Sequence, residues 1–275
     1  MQICIVDNST EEIDWNDILQ GIDLKRVEVF RQPESVPGYI NWNTCIRLSR
    51  GHLIHILHDD DWVDNGFYAE IDRMYREAPN AGLFAVRSFH VNESGVIMGV
   101  GQNCDQEGQL SWNPDHLFPL PAIQCVATVA PRARYEELGG FRDGIGFVLD
   151  AEMWLRLTIR YGARYSPHVL AFCRGSFDNG TQGLLASGDN FRDLENYCRI
   201  ALKEYPSLQH SNYRMKLLDY ADSQEQLHLR TGNVASVKLA RQMWASNATT
   251  YMLFKRRISN CLEFIESVLI PKSMR

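Results

Sequence analysis

Short apolar runs alternate with helix-period patterns through the first half of this 275-residue chain, and that alternation restricts the fold more than any other feature. Residues 3–6 and 27–30 read as strands on either side of a helix face made by Trp15, Ile18, Leu19 and Ile22. Residues 40–48 read as a helix, 53–57 as extended, Phe67, Ile71, Met74 and Tyr75 as a helix face, and 82–91 as another strand. Strands alternating with helices at this spacing predict βαβ units: an α/β fold whose mostly parallel sheet is covered by helices on both faces. Residues 3–6 show no polar alternation, as expected of a strand buried on both sides. In such sheets ligands bind beyond the carboxyl ends of the strands, where Asp7 and the run Asp59-Asp60-Asp61 fall.

The second half is less regular. Ser94-Gly95 predicts a hairpin, residues 103–121 a loop, 122–129 a strand, and 132–138 a short helix stopped by Gly139-Gly140. A stronger helix covers 151–161, with Glu152 and Arg156 spaced as an i,i+4 pair, Asp150 just before it and Gly162 as its stop. Residues 165–173 are extended, 174–189 read as a loop rich in Gly, Ser and Asn, and the pattern from 190 onward is helical. The expected division is therefore an α/β domain over 1–185 and a helical extension over 186–275, in which Phe254, Ile258, Cys261, Leu262, Ile265 and Leu269 form an apolar stripe. That stripe needs a covering surface: the body of the protein, a second copy, or an anionic membrane face beside Lys255-Arg256-Arg257. Packing within the protein is favoured.

Seven scattered cysteines, with no C-x-x-C pair, argue against a disulfide framework or a zinc site and for a reducing, cytoplasmic setting. No signal-peptide pattern and no run of roughly 18 apolar residues is present, so weak peripheral contact is the only membrane association expected. From Arg199 onward 12 Lys/Arg face 6 Asp/Glu, but these basic residues are interleaved with helix-core positions. That is not a nucleic-acid-binding profile.

The run His58-Asp59-Asp60-Asp61-Trp62 closes the apolar stretch Leu53-Ile54-His55-Ile56-Leu57. Adjacent carboxylates repel one another more strongly as water is removed, so their placement at a strand end calls for a counter-charge. A hard divalent cation, which also takes phosphate oxygens, fits that need. The plainer alternative is a solvated acidic turn with Asp64 capping a helix that begins near Gly66. His52, His55 and His58 are spaced by three on an expected strand and cannot all face one ion, which argues against histidine ligation of a structural metal.

Four segments, in order, resemble family 2 glycosyltransferases of the GT-A type. Ile5-Val6-Asp7-Asn8-Ser9-Thr10 looks like their V-D-D-G-S strand and turn, and Asn41-Trp42-Asn43 through Gly51 to Asp61-Trp62 like their helix, strand and acidic metal motif. Glu137-Leu138-Gly139-Gly140-Phe141 is similar to their G-G-F segment, and Asp150-Ala151-Glu152-Met153-Trp154-Leu155-Arg156 resembles their D-x-E-L-W-L-R helix start.

The resemblance implies transfer of a sugar from a nucleoside-diphosphate donor to an acceptor hydroxyl on a saccharide or lipid-linked molecule, with inversion. It implies a divalent cation, Mn2+ or Mg2+, held by Asp60 and Asp61, and Asp150 as the general base. It places Asp7, Asn43, Asp59, Asp60 and Arg174 on the donor. Each has a plainer reading: Asp150 as a helix cap, Asp7 as a turn residue, Arg174 in a solvated loop. Three departures are visible. The family begins with a further strand and helix carrying a P-x-x-N-type motif, and this chain starts at what resembles the second strand. His58 stands where many members carry the first Asp of Asp-x-Asp, and Leu149 replaces an acidic residue before the base. A shortened, non-catalytic relative serving a partner is the alternative expectation, and the C-terminal helices offer a surface for self-association.

Overall fold

The computed structural model describes residues 1–101, 117–175, 180–249 and 252. The stripe at 254–269, Lys255-Arg256-Arg257 and most of the loop predicted at 103–121 lie outside the described residues. The strands are β1 (Ile3–Asp7), β2 (Val27–Arg31), β3 (Leu53–Ile54), β4 (Trp62–Val63), β5 (Leu83–Val91), β6 (Ile97–Val100), β7 (Thr128–Pro131) and β8 (Ala163–Arg174). In the α/β part the helices are α1 (Trp15–Ile18), α2 (Gly38–Leu48), α3 (Phe67–Glu77), α4 (Arg132–Leu138) and α5 (Leu149–Tyr161). They are followed by α6 (Gly180–Ser187), α7 (Asp189–Glu204), α8 (Tyr213–Thr231) and α9 (Val234–Asn247). Among the described residues no helix is long and apolar enough to cross a membrane.

β1 and β2 pair in parallel, Ile3 opposite Val27 and Asp7 opposite Arg31, as a two-stranded sheet of their own. The larger sheet runs β3-β7-β5-β8-β4, with β6 folded back on β5. The α/β class and the flanking helices agree with the sequence, but the pairing is mixed. β1–β2 and β5–β8 are parallel, whereas β3–β7, β4–β8, β5–β6 and β5–β7 are antiparallel. The β5–β6 link shows why: a tight turn at Asn92–Gly95, in which the Asn92 carbonyl accepts from the Gly95 amide, is too short for the crossover that parallel strands need.

Several local expectations shift. The stretch 53–57 is strand only at Leu53–Ile54, because β7 supplies partners to those two residues alone. Gly66, not Asp64, precedes α3, and the Asp64 carboxylate accepts instead from the Asn65 amide. The α1 face is not a buried stripe, since Ile18 and Ile22 are more than half exposed. The loop predicted at 174–189 contains α6, whose last turn is held by the Asn233 side chain donating to the Ala186 carbonyl. Strand β1 is half-exposed along most of its length rather than buried on both faces.

The core is continuous. Phe67, Phe84, Trp154 and Tyr165 from the sheet and its helices belong to the same buried cluster as Tyr197, Leu217 and Trp244 from α7, α8 and α9. α5 lies at its centre, buried over Leu149 and from Ala151 through Thr158.

Candidate active site

The acidic run leaves β3 and crosses the carboxyl end of β8. There the Arg174 amide donates to Asp61 Oδ1 at 2.7 Å, which fixes the Asp61 side chain at only 4% exposure. His58 Nδ1 faces the other Asp61 oxygen at 3.7 Å. His58, Asp60 and Asp61 each bring one donor atom within 4.8 Å of the others. Burial raises the Asp61 carboxyl; the Arg174 amide opposes that rise and the neighbouring Asp60 charge adds to it. Asp59 stays exposed on the turn, outside this cluster.

The histidines do not converge on one ion, as their spacing indicates. The strand ends at Ile54, so side-chain alternation does not govern the residues after it. His55 and His58 diverge. His55 Nε2 donates to the Val126 carbonyl at 3.0 Å, which leaves Nδ1 to accept from the Tyr68 hydroxyl at 3.1 Å, and burial lowers its pKa to about 4. His58 turns the other way, with its ring 5.2 Å from Trp42 and a buried Nε2 that has no hydrogen-bond partner among the described residues. A mixed set of one imidazole and two carboxylates, one of them buried, suits a divalent cation.

Asp150 is the second residue of α5 rather than its cap, and its Oδ1 accepts from the Ala151 amide at 2.7 Å. Burial raises its carboxyl above the ordinary value, against the pull of that amide and of the His58 charge. The side chain lies in a recess that solvent still reaches. Asp150 and the acidic run lie within electrostatic reach of a common neighbour, the Cys173 thiol. It is pushed up to about 12 by burial and then by the fields of Asp61, Asp60 and Asp150.

Arg174 joins the site through its backbone. Its guanidinium points away, 5.1 Å over the Trp62 ring, and Nη1 donates to the Glu93 carbonyl at 3.1 Å. Together with His90, Asn92, Glu93, Met98 and Cys173 it lines an open hollow of about 440 Å3. Asp7, at the end of β1, keeps company of its own. It accepts from the Ser9 amide and hydroxyl at 2.8 and 2.6 Å and from Trp15 Nε1 at 3.0 Å, and it faces Arg31 at 3.6 Å. Burial alone would raise Asp7, but these hydrogen bonds and the Arg31 charge bring it below its ordinary value. Asn43 commits its amide to the backbone of Phe141, accepting from that amide at 2.8 Å and donating to that carbonyl at 2.9 Å. Gly140 makes this approach feasible. It sits at φ +74°, and a Cβ there would overlap Asn43 Oδ1.

Two supports escape a sequence reading. Arg156 and Glu152, both 2% exposed, form a buried ion pair at 2.7 Å. Arg156 also donates to the Leu138 and Gly140 carbonyls at 2.8 and 2.7 Å, tying α5 to the Gly139-Gly140 turn. The i,i+4 spacing of Glu152 and Arg156 is visible in the sequence, but it is the same on a surface as in a core. From α7, the buried Asp193 accepts from the Phe147 amide at 3.0 Å, and the Tyr197 hydroxyl donates to the Ala151 carbonyl at 3.2 Å. Both hold the approach to Asp150. They come from a segment too distant in sequence to be assigned to the site beforehand.

No protein-family model matches the sequence. It is 25% identical over 171 residues, 61% of this chain, to the uncharacterized protein y4gI of Sinorhizobium fredii. It is 27% identical over 169 residues, 56% of this chain, to the uncharacterized protein MT1568 of Mycobacterium tuberculosis. The matches cover 18% and 52% of those relatives' own lengths. S. aureus TarS 1-349 in complex with UDP-GlcNAc superposes with a TM-score of 0.54 at 9% identity, covering 89% of this chain and 82% of that one. The mannosyltransferase PcManGT from Pyrobaculum calidifontis, in complex with GDP-Man and Mn2+, superposes with a TM-score of 0.51 at 12% identity, covering 98% and 78%. The chain therefore has a GT-A-like glycosyltransferase fold.

Proposed function

We propose that this protein is an inverting glycosyltransferase of the family 2 type, moving a sugar from a nucleoside diphosphate to an acceptor hydroxyl on a saccharide or lipid-linked molecule. The observation that carries the reading is that Asp150, its carboxyl raised by burial, lies within electrostatic reach of His58 and shares the neighbour Cys173 with Asp60 and Asp61. The likeness to proteins bound to UDP-GlcNAc and GDP-Man supports a sugar-nucleotide donor.

Asp150 takes the proton of the acceptor hydroxyl as that oxygen attacks the anomeric carbon, and single displacement with one base inverts the configuration. His58, Asp60 and Asp61 would hold a divalent cation; when bound, such an ion neutralises the charge that develops on the leaving diphosphate. Arg174 contributes first through the amide that orients Asp61, with its guanidinium beside the hollow on the donor side. Asp7 stays ionised and serves the nucleoside, Asp59 stands at the rim, and Asn43 acts by fixing the Gly140–Phe141 backbone. The unpaired cysteines Cys4, Cys45, Cys125, Cys173 and Cys198 support a cytoplasmic setting.

A second reading, a relative that folds without turning donor over, is favoured by a specific observation: Asp7 and Asn43 already use their polar atoms within the protein. One titration tests the cation-dependent donor site. UDP and GDP should bind far more tightly with Mn2+ or Mg2+ than with chelator, and Asp61→Asn should erase the difference without unfolding the protein. Equal nucleotide affinity with and without metal removes the metal-assisted reading. Metal-dependent binding with no transfer in any acceptor assay selects the second reading.

A further inference from the structure

Strand β1 and helix α2 lie side by side, and hydrogen bonds at both ends fix how they align. At one end the Gln2 side chain donates to the Leu48 carbonyl at 3.2 Å and accepts from the Arg50 amide at 2.8 Å. At the other, the Asn8 side chain donates to the Val36 carbonyl at 2.8 Å and accepts from the Val36 amide at 2.9 Å. The two elements therefore run in opposite directions, with Gln2 level with the end of α2 and Asn8 level with the residues just before its start.

This alignment brings two cysteines together. Side chains two apart on a strand share a face, so Cys4 points to the same side as Gln2 and Asn8, toward α2. Two strand residues advance about 6.6 Å, a little over one helical turn, which sets Cys4 level with the turn before Leu48, where Cys45 sits. Cys45 is also on the α2 face that meets the small sheet. It lies one turn from Leu48, whose carbonyl takes Gln2, and one turn from Asn41, which accepts from Gln32 just past β2 at 3.1 Å. Both thiols are free and half-buried. The Cys45 thiol is pushed up to about 11, by burial first and then by the neighbouring Cys4. Burial and the Glu28 charge raise Cys4 as well, and the Arg50 charge opposes them.

We infer that Cys4 and Cys45 are a modification site, a dithiol that closes to a disulfide fastening β1 to α2 when a low-molecular-weight disulfide is the oxidant. Cys4, with the Arg50 charge beside it, acts first: its thiolate attacks one sulfur of glutathione disulfide and releases one glutathione thiolate. The Cys45 thiolate then attacks the Cys4 sulfur, forms the Cys4–Cys45 bond and releases the second glutathione thiolate. The two cysteines are oxidised, the two glutathiones carry away the electron pair, and the two thiol protons return to them through solvent. Raised thiols make the exchange slow at neutral pH and faster as pH rises. The bond ties down a two-stranded sheet that has no other ladder among the described residues.

The test is to add glutathione disulfide at mildly alkaline pH to the reduced, folded full chain, quench with N-ethylmaleimide and map the peptides by mass spectrometry without reduction. Chains that run as monomers without reductant should contain a peptide pair joined through Cys4 and Cys45, with no glutathione on either residue. Hydrogen exchange over β1 should slow severalfold in the oxidised chain and recover on reduction. Cys45→Ser should stop the reaction at a mixed disulfide on Cys4. Glutathione that stays on Cys4 of the wild type, a bond from either residue to another cysteine or another chain, or two thiols left free overturns the assignment. Unchanged β1 exchange in a chain that carries the bond overturns the fastening. If Cys45→Ser does not fold, the wild-type peptide map decides by itself.

Discussion

The carboxylates of this protein have been sorted by their surroundings. Asp7 is surrounded by donors and a guanidinium, so its charge is stabilised; Asp150 has one backbone amide and a buried position, so its charge is costly. Environments that push two like groups in opposite directions mark different chemical tasks, and the group held up is the one suited to accept a proton. Asp150→Asn should lower turnover roughly 10²–10⁴-fold with donor affinity almost unchanged, measured by steady-state transfer and by nucleotide titration. The same variant should be at least as stable as wild type at neutral pH. A carboxyl whose folded pKa is raised is no burden below its unfolded value of 3.8, becomes one as pH rises through the folded value, and remains one above it. Melting curves of the two proteins should accordingly converge toward acid and separate toward neutrality, with the variant higher. The acid limb of wild-type turnover should lie above the ordinary Asp value, because the base must be ionised. A variant that melts lower at neutral pH would mean that the Asp150 charge is stabilising, contrary to this assignment.

Among the elements, α5 governs the site. It presents Asp150 and the buried Glu152 in its first turn and Arg156 one turn later, where Arg156 pairs with Glu152 and holds the carbonyls of Leu138 and Gly140. Arg142 adds a second cation to Glu152 at 3.2 Å and also meets Glu204 of α7. Removing one partner of a buried pair leaves the other charge uncompensated. Arg156→Met should therefore cost about 3–5 kcal/mol in urea unfolding, and Glu152→Leu combined with Arg156→Met should recover part of that loss. A single variant within about 0.5 kcal/mol of wild type would show the pair to be dispensable. The helix itself was legible in the sequence, because Trp154, Leu157 and the Gly162 stop are local signals. Its start was misplaced by two residues, and the depth of Glu152 and Arg156 was not seen, because i,i+4 spacing is the same at a surface and in a core. The acidic run was legible as a candidate cation site through its charge density. His55 and His58 do not share a site, as their spacing indicates, although strand alternation ends at Ile54, where pairing with β7 stops. Helix α6 was hidden by Gly180, Gly183 and Ser187, and its last turn is tied by a bond from Asn233, 47 residues after Ala186.

For the molecule as a whole, the segment beyond residue 185 is part of the machinery that shapes the site. Asp193 and Tyr197 fix the backbone on both sides of Asp150, and α7, α8 and α9 share the buried cluster of the sheet. Long-range support of this kind is what sequence patterning conveys least, since each helix looks self-sufficient in its own window. The strands β1 and β2 contrast with this integration. They form a ladder with each other and none with the larger sheet among the described residues, and Ile3 and Val29 are about 40% exposed. A two-stranded sheet is marginal by itself, and regions with few buried contacts open well below the global unfolding free energy. In hydrogen-exchange mass spectrometry, peptides over β1 and β2 should exchange by local opening while those over β5 and β8 wait for global unfolding. Uniform protection across both sheets would contradict that partition. The end that carries Asp7 thus has a clock of its own. A nucleoside diphosphate that binds there should slow that clock, and, because global unfolding also releases it, slow exchange over β5 and β8 as well.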